Sequence, residues 1–184
     1  MKVVPRLFTS ENKKCILNAF MIRIGIGFDA HRWVTGRACI LGGVEIPHTL
    51  GLLGHSDADV ITHAVMDALL GAAALGDIGQ HFPDRDDRWR GASSIAMLRQ
   101  VTALLQQHGW QPGNIDVTAQ AESPRIMPHA AQMRRNLADA TGLSPDAVSI
   151  KATTMEGMGA VGRNEGMTAM AVATISQIPK FPNV

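Results

Sequence analysis

In the stretch GFDAH, residues 27–31, an aspartate and a histidine stand two apart at the end of the apolar run MIRIGIGF, which reads as a strand. Side chains two apart on a strand share a face. Either Asp29 caps a turn and His31 is solvated, or the pair offers two ligands to a metal. A second set follows in a helix expected over residues 58–75, where Asp59, His63 and Asp67 recur every four residues and form one stripe. The rest of that helix, with Val60, Ile61, Ala64, Val65, Ala68 and Leu69, is apolar. The stripe is therefore its only wet face or the wall of a polar site. His55, Ser56 and Asp57 precede it, where free N–H groups and the helix dipole favour anions. Together, Asp29, His31 and His63 make a two-histidine, one-carboxylate set. Three protein ligands with an open fourth position is the pattern of catalytic rather than structural zinc, although these donors suit other divalent ions too. Asp67, one turn beyond His63, is placed to steer a histidine as an acceptor, and Asp59 stands one turn before it.

The stretch KATTMEGMGAVGRNEG, residues 151–166, is the second candidate. It carries Thr153, Thr154 and Glu156, then three glycines and Arg163. Hydroxyls, a carboxylate and exposed amides suit a phosphate chain with a hard cation on Glu156. A mobile hairpin loop is the plainer reading. The segment DIGQHFPDRD similarly offers Asp77, Gly79 and Asp84.

These residues need a scaffold. Strands are expected over 22–28 and 38–46, joined by the loop DAHRWVTGR, and again near 114–121, 147–153 and 167–176. Ser56 and Asp57 are N-cap candidates for the helix over 58–75. Apolar positions at Ile95, Leu98, Val101, Leu104 and Leu105 predict a helix over 92–108, and another is expected over 128–141. The order implies one α+β domain, a sheet with helices packed on one face. Residues 1–20 read as a dispensable N-terminal extension, with the domain over 21–184.

Bulk properties narrow the function. With 184 residues, 46% of them hydrophobic, the chain is long enough to bury one real core. A net charge of +1 gives no footprint for nucleic acid, and the absence of Tyr removes stacking platforms for single strands. No apolar stretch reaches the roughly 18 residues a membrane span needs, and the first 20 residues lack a secretory apolar region. Only two cysteines, Cys15 and Cys39, occur, without CxxC spacing, so a cytoplasmic, reducing location is expected.

The segments RIGIGFDAH, LGGVEIP, GLLGHSDADV, DALLGAAALGDIG, FPD, SPRIMPH, KATTMEGMG and GRNEG, in this order, resemble the signatures of the 2-C-methyl-D-erythritol 2,4-cyclodiphosphate synthases. The resemblance spans about residues 21–176. It implies cyclisation of 4-diphosphocytidyl-2-C-methyl-D-erythritol 2-phosphate, with release of CMP, in non-mevalonate isoprenoid synthesis. It implies Zn²⁺ on Asp29, His31 and His63, and Mg²⁺ or Mn²⁺ on Glu156. His55 and Thr154 match residues that stabilise the transition state. Ser56, Asp77, Ile78, Gly79 and the loop of Phe82, Pro83, Asp84, Arg85 and Asp86 match positions that hold the erythritol and phosphates. Ala121, Glu122, Ser123, Pro124, Arg125, Ile126 and Met127, with Ala152, Thr153 and Met155, align with a cytidine pocket.

The resemblance also implies a homotrimer with active sites shared between neighbours. Ala160 and Arg163 align with a central cavity proposed to take an isoprenoid diphosphate. The chain departs from the pattern there: Ile26 replaces a frequent histidine and Ala160 a frequent aromatic. Arg125 replaces the usual Lys, and Glu122 the usual Gln. Two rivals use the same residues, a metal-dependent phosphohydrolase that activates water and a non-enzymatic ligand-binding oligomer.

Overall fold

The computed structural model describes residues 21–179, so the expectation for residues 1–20 lies outside it. A five-stranded mixed sheet has the order β4-β1-β7-β5-β6, with β1 at Ile22–Val34, β4 at Gly51–Leu52, β5 at Trp110–Gln120, β6 at Val148–Thr153 and β7 at Gly166–Gln177. β2 (Cys39–Leu41) and β3 (Val44–Ile46) form a separate hairpin. The long helices are α1 (Val60–Ala73), α3 (Ser94–Gln107) and α4 (Ala130–Thr141); α2 (Ile78–His81) and α5 (Gly159–Gly162) are single turns. The α+β, single-domain expectation holds. No helix among the described residues is long and apolar enough to cross a membrane.

Four expected boundaries move. β1 does not stop at Phe28: Asp29, Ala30, His31 and Arg32 pair with Ala169, Thr168, Met167 and Gly166 of β7, and Trp33 then pairs with Leu52. The supposed loop is mostly strand, held by a partner far along the chain. The run 38–46 is two strands, because Gly42 and Gly43 both have positive φ, as a two-residue hairpin turn requires. α1 is capped by Asp59, whose side chain accepts from Thr62 N–H at 3.1 Å, and not by Ser56 or Asp57. Left-handed residues, Ala58 and Ala74, flank this helix. β5 begins four residues earlier than expected because β7 extends to meet it, with a register shift at Pro112.

β1 lies close against α1. A Cβ at Gly27 would stand 2.0 Å from the Ala64 carbonyl oxygen, and one at Gly25 2.0 Å from that of Ala68. Gly27→Ala is expected to cost about 1–3 kcal/mol or more, because the obstructing atom is helix backbone and cannot turn away. Urea unfolding of the variant would measure it; an unchanged midpoint would show that the helix can move off the strand.

The odd residues of β1 face this helix, and the even ones do not. Ile22, Ile24, Ile26 and Phe28, with Met170 and Val172 from β7, expose a continuous apolar strip; Ile24 is 71% exposed. One face of the sheet is packed by helices; the other is apolar along β1 and the middle of β7 and polar toward β5 and β6, where Asp116 pairs with Lys151 and Gln120 with Thr168.

Candidate metal centre

Because β1 runs on through residue 34, Asp29 and His31 stand on its helix-facing side, and α1 brings His63 to them. Asp29 Oδ2 lies 2.9 Å from His31 Nε2 and 3.0 Å from His63 Nδ1, and the two nitrogens are 3.2 Å apart. These are the only three His, Cys, Asp or Glu side chains among the described residues that gather in this way. Hydrogen bonds to the far side of each ring assign the tautomers. His31 Nδ1–H donates to the Leu53 carbonyl at 2.6 Å. His63 Nε2–H donates to Ser94 Oγ at 2.9 Å and to Ser56 Oγ at 3.1 Å. Each imidazole therefore aims a lone pair at the carboxylate oxygen. Three acceptors converging at 2.9–3.2 Å repel one another unless a cation stands among them. A tetrahedral ion with bonds of about 2.0–2.1 Å sets its ligands about 3.3 Å apart, so the triangle fits.

Burial alone would raise the Asp29 pKa, but hydrogen bonds and charge from His31 and His63 carry it well below the usual carboxylate range. Burial likewise depresses His31, and the bond to Asp29 outweighs it, raising its pKa. In the metal-free protein a proton serves the role that a metal takes over on binding.

The triad opens into a cavity of about 230 Å³ that His55, Ser56, Ile78, Gly79, Phe82 and Asp84 also line. Its wall includes three residues that spacing did not reveal: Gly54, Trp89 and Met97. Trp89 packs edge-on against Phe82. A side chain at Gly54 would press on Ala58 and His31. Arg37 holds the 54–56 segment from outside, bonding the Gly54 and Ser56 carbonyls; no motif signalled it. Asp77 caps α2 through Gln80 N–H, Asp86 pairs with Arg88, and Pro83 and Arg85 are exposed on the same loop.

Two of the stripe carboxylates do other work. Asp67 accepts from Ile78 N–H at 2.8 Å and touches neither histidine, so it fastens α2 over the cavity. Burial, aided by the charges of Asp77 and Asp29, raises its pKa. Asp59, fully buried, accepts from Gly42 and Gly43 N–H at 2.8 and 2.7 Å and from Thr62. Burial raises its pKa too. It ties the β2–β3 hairpin to α1 rather than supporting a metal ligand.

A second cavity of about 630 Å³ gathers Ala121, Glu122, Pro124, Arg125, Ile126, Met127, Ala152, Thr153 and Thr154. Ser123 and Met155 belong to its frame: Ser123 bonds Asn164, and Met155 N–H donates to Glu122. Glu156 follows at a positive φ, exposed, accepting from Thr154 Oγ1 at 2.7 Å. Ala160 borders a separate cavity of about 240 Å³, and Arg163 pairs with Glu165. The metal and Glu122 cavities share no lining residue. Asp29, Ala169, Ala119 and Ala152 form one row across the sheet, and three strand spacings separate its ends by about 14 Å.

Comparison with protein families matches residues 22–176 to the YgbB family. A 2-C-methyl-D-erythritol 2,4-cyclodiphosphate synthase of Salinibacter ruber is 57% identical over 84% of this chain and 98% of its own length. One from Syntrophomonas wolfei is 54% identical over 85% and 99%. A solved CDP complex of IspF from Plasmodium falciparum superposes with a TM-score of 0.75 at 29% identity, covering 85% of this chain and 97% of that one.

Proposed function

This chain belongs to the YgbB family, whose curated relatives here are cyclising 2-C-methyl-D-erythritol 2,4-cyclodiphosphate synthases, and on that premise we propose its reaction in detail. It is an enzyme of that class, a lyase of isoprenoid biosynthesis. Its substrate is 4-diphosphocytidyl-2-C-methyl-D-erythritol 2-phosphate, and it works in the cytoplasm through residues 21–184. The 2-phosphate oxygen attacks the β-phosphorus; a P–O bond forms, the bond to CMP breaks, and the cyclic diphosphate remains. The observation that carries this reading is the convergence of one carboxylate oxygen and two imidazole nitrogens on the cavity shared with His55 and Ser56.

The nucleophile is already an anion near neutral pH, so no strong base is needed. The difficulty is to bring one anion against another in line with the leaving group. Asp29, His31 and His63 would hold Zn²⁺ and Glu156 would hold Mg²⁺ or Mn²⁺, and such cations would supply charge neutralisation and a template. Ser56 Oγ already accepts from Ala58 N–H and His63, which leaves its own O–H to donate to phosphate. His55, its Nε2–H given to the Asp86 carbonyl, stands on the same wall. Thr154 holds Glu156, and the Glu122 cavity receives cytidine. Walls of Phe82, Trp89 and Met97 keep water from intercepting the phosphorus.

A site split between two cavities that share no residue supports a homotrimer in which the metal side of one subunit meets the nucleotide side of the next. The bare strip of Ile22, Ile24, Ile26, Phe28, Met170 and Val172 supports burial against other copies. For an isoprenoid diphosphate near Ala160 and Arg163, Ile26 supplies no donor and Arg163 is engaged by Glu165. Incubation with the substrate, followed by phosphorus NMR, tests the reaction. Cyclic product and CMP in equal amounts are expected; an uncyclised phosphate would point to a phosphohydrolase instead.

Glu156→Gln keeps the size and removes the charge. Turnover is expected to fall about 100-fold, the scale of one lost transition-state contact, with zinc content unchanged. Unchanged turnover across a magnesium titration would remove Glu156 from the mechanism.

A further inference from the structure

Beyond the three ligands, the geometry points to a positioning relay, Asp57–Ser94–His63, that sets the metal-binding tautomer of His63. This rests on the metal reading above. Ser94 opens α3, a helix that contributes no ligand, yet it is fully buried and its Oγ meets His63 Nε2 at 2.9 Å. Its direction is set from behind. The Ser94 hydroxyl donates to Asp57 Oδ1, while Asp57 Oδ2 accepts from Ser94 N–H at 2.9 Å. With its proton committed to a carboxylate, Ser94 Oγ has only lone pairs to offer the imidazole. His63 must then carry its proton on Nε2, and Nδ1 keeps the lone pair that faces Asp29.

The outward side of the relay matters as much. Asp57 is half-buried on the wall of a different cavity, of about 420 Å³, beside Arg99 and Asn136. Both of its carboxylate oxygens are taken by Ser94, Oδ2 by the backbone N–H and Oδ1 by the hydroxyl, which fixes the serine's orientation. Ser56 offers a second acceptor to His63, but at the longer 3.1 Å and with no carboxylate behind it to fix its direction. A metal-bound imidazole normally gives its other N–H to such a partner, and removing that partner lowers metal affinity about 10–100-fold. Here the carboxylate works at one remove, through a serine that faces both ways.

Two variants test this. Ser94→Ala deletes the acceptor. Asp57→Asn is isosteric, but an amide has a single oxygen for the two Ser94 donors. Satisfying the backbone N–H turns the amide NH₂ toward Ser94 Oγ and the hydroxyl proton toward His63, favouring Nδ1–H, the wrong tautomer. Zinc dissociation constants, by competition with a chromophoric chelator, are expected to rise about 10–100-fold in both. The visible absorption of the cobalt-loaded protein is expected to change with them. Thermal unfolding of the metal-free proteins separates a structural role, which lowers the midpoint and leaves affinity alone. Affinity within twofold of wild type in either folded variant overturns the relay. If Ser94→Ala does not fold, Asp57→Asn decides by itself. Wild-type protein that takes up no zinc at all would instead overturn the metal reading, and the relay with it.

Discussion

His63→Ala is expected to leave the folded protein without stoichiometric zinc and to lower cyclisation about 1,000-fold or more, beyond the 10²–10³ lost with a single preorganised donor. The size follows from what remains. Asp29 Oδ2 and His31 Nε2, 2.9 Å apart, keep only two ligands, and a two-point site does not compete with water for a divalent ion. Three-ligand convergence is what makes the pocket selective. The fold should survive: His63 is buried, but its neighbours Ser56 and Ser94 have other partners in Ala58 N–H and Asp57. Elemental analysis together with circular dichroism checks both halves. Full zinc content in a variant lacking Asp29, His31 and His63 would sink the assignment.

Two inactive variants are expected to rescue each other. His63→Ala damages the metal cavity and Glu156→Gln the other side, and the two cavities share no lining residue. If the site forms across a subunit boundary, mixed trimers rebuild intact sites from the undamaged side of each. Random mixing restores roughly a quarter of the sites, so co-refolded protein should recover turnover far above either parent. A site contained within one chain predicts none, because every subunit carries one lesion. A companion variant, Phe28→Glu with Val172→Glu, places charges in the exposed strip on β1 and β7. It is expected to yield monomers by sedimentation and to be inactive, since a buried unpaired charge is costly. A trimer unaffected by both charges would place the contact elsewhere.

Local pattern determined a good deal. The period of Ile95, Leu98, Val101 and Leu105 sufficed for α3, because an amphipathic helix has its burial written at a spacing of three and four. Strand alternation puts Asp29 and His31 side by side once the strand runs on through them. Tertiary structure decided the rest. β1 reads as ending at Phe28 because DAHRW is polar, yet the β7 ladder carries it on to Val34. That ladder joins residues more than 130 positions apart, which no local window contains. The stripe Asp59, His63 and Asp67 was correctly periodic, but periodicity cannot say what a carboxylate meets. Two glycine N–H groups of a hairpin claimed Asp59, and Ile78 N–H claimed Asp67. Ser94 looks like an ordinary residue at a helix start; only the packing of α3 behind α1 turns its hydroxyl toward His63. Secondary structure and pairs on one element were legible because they depend on a few torsions of neighbouring residues. The partners of each polar group were not, because a hydrogen bond depends on a distance of about 3 Å that only the folded chain sets.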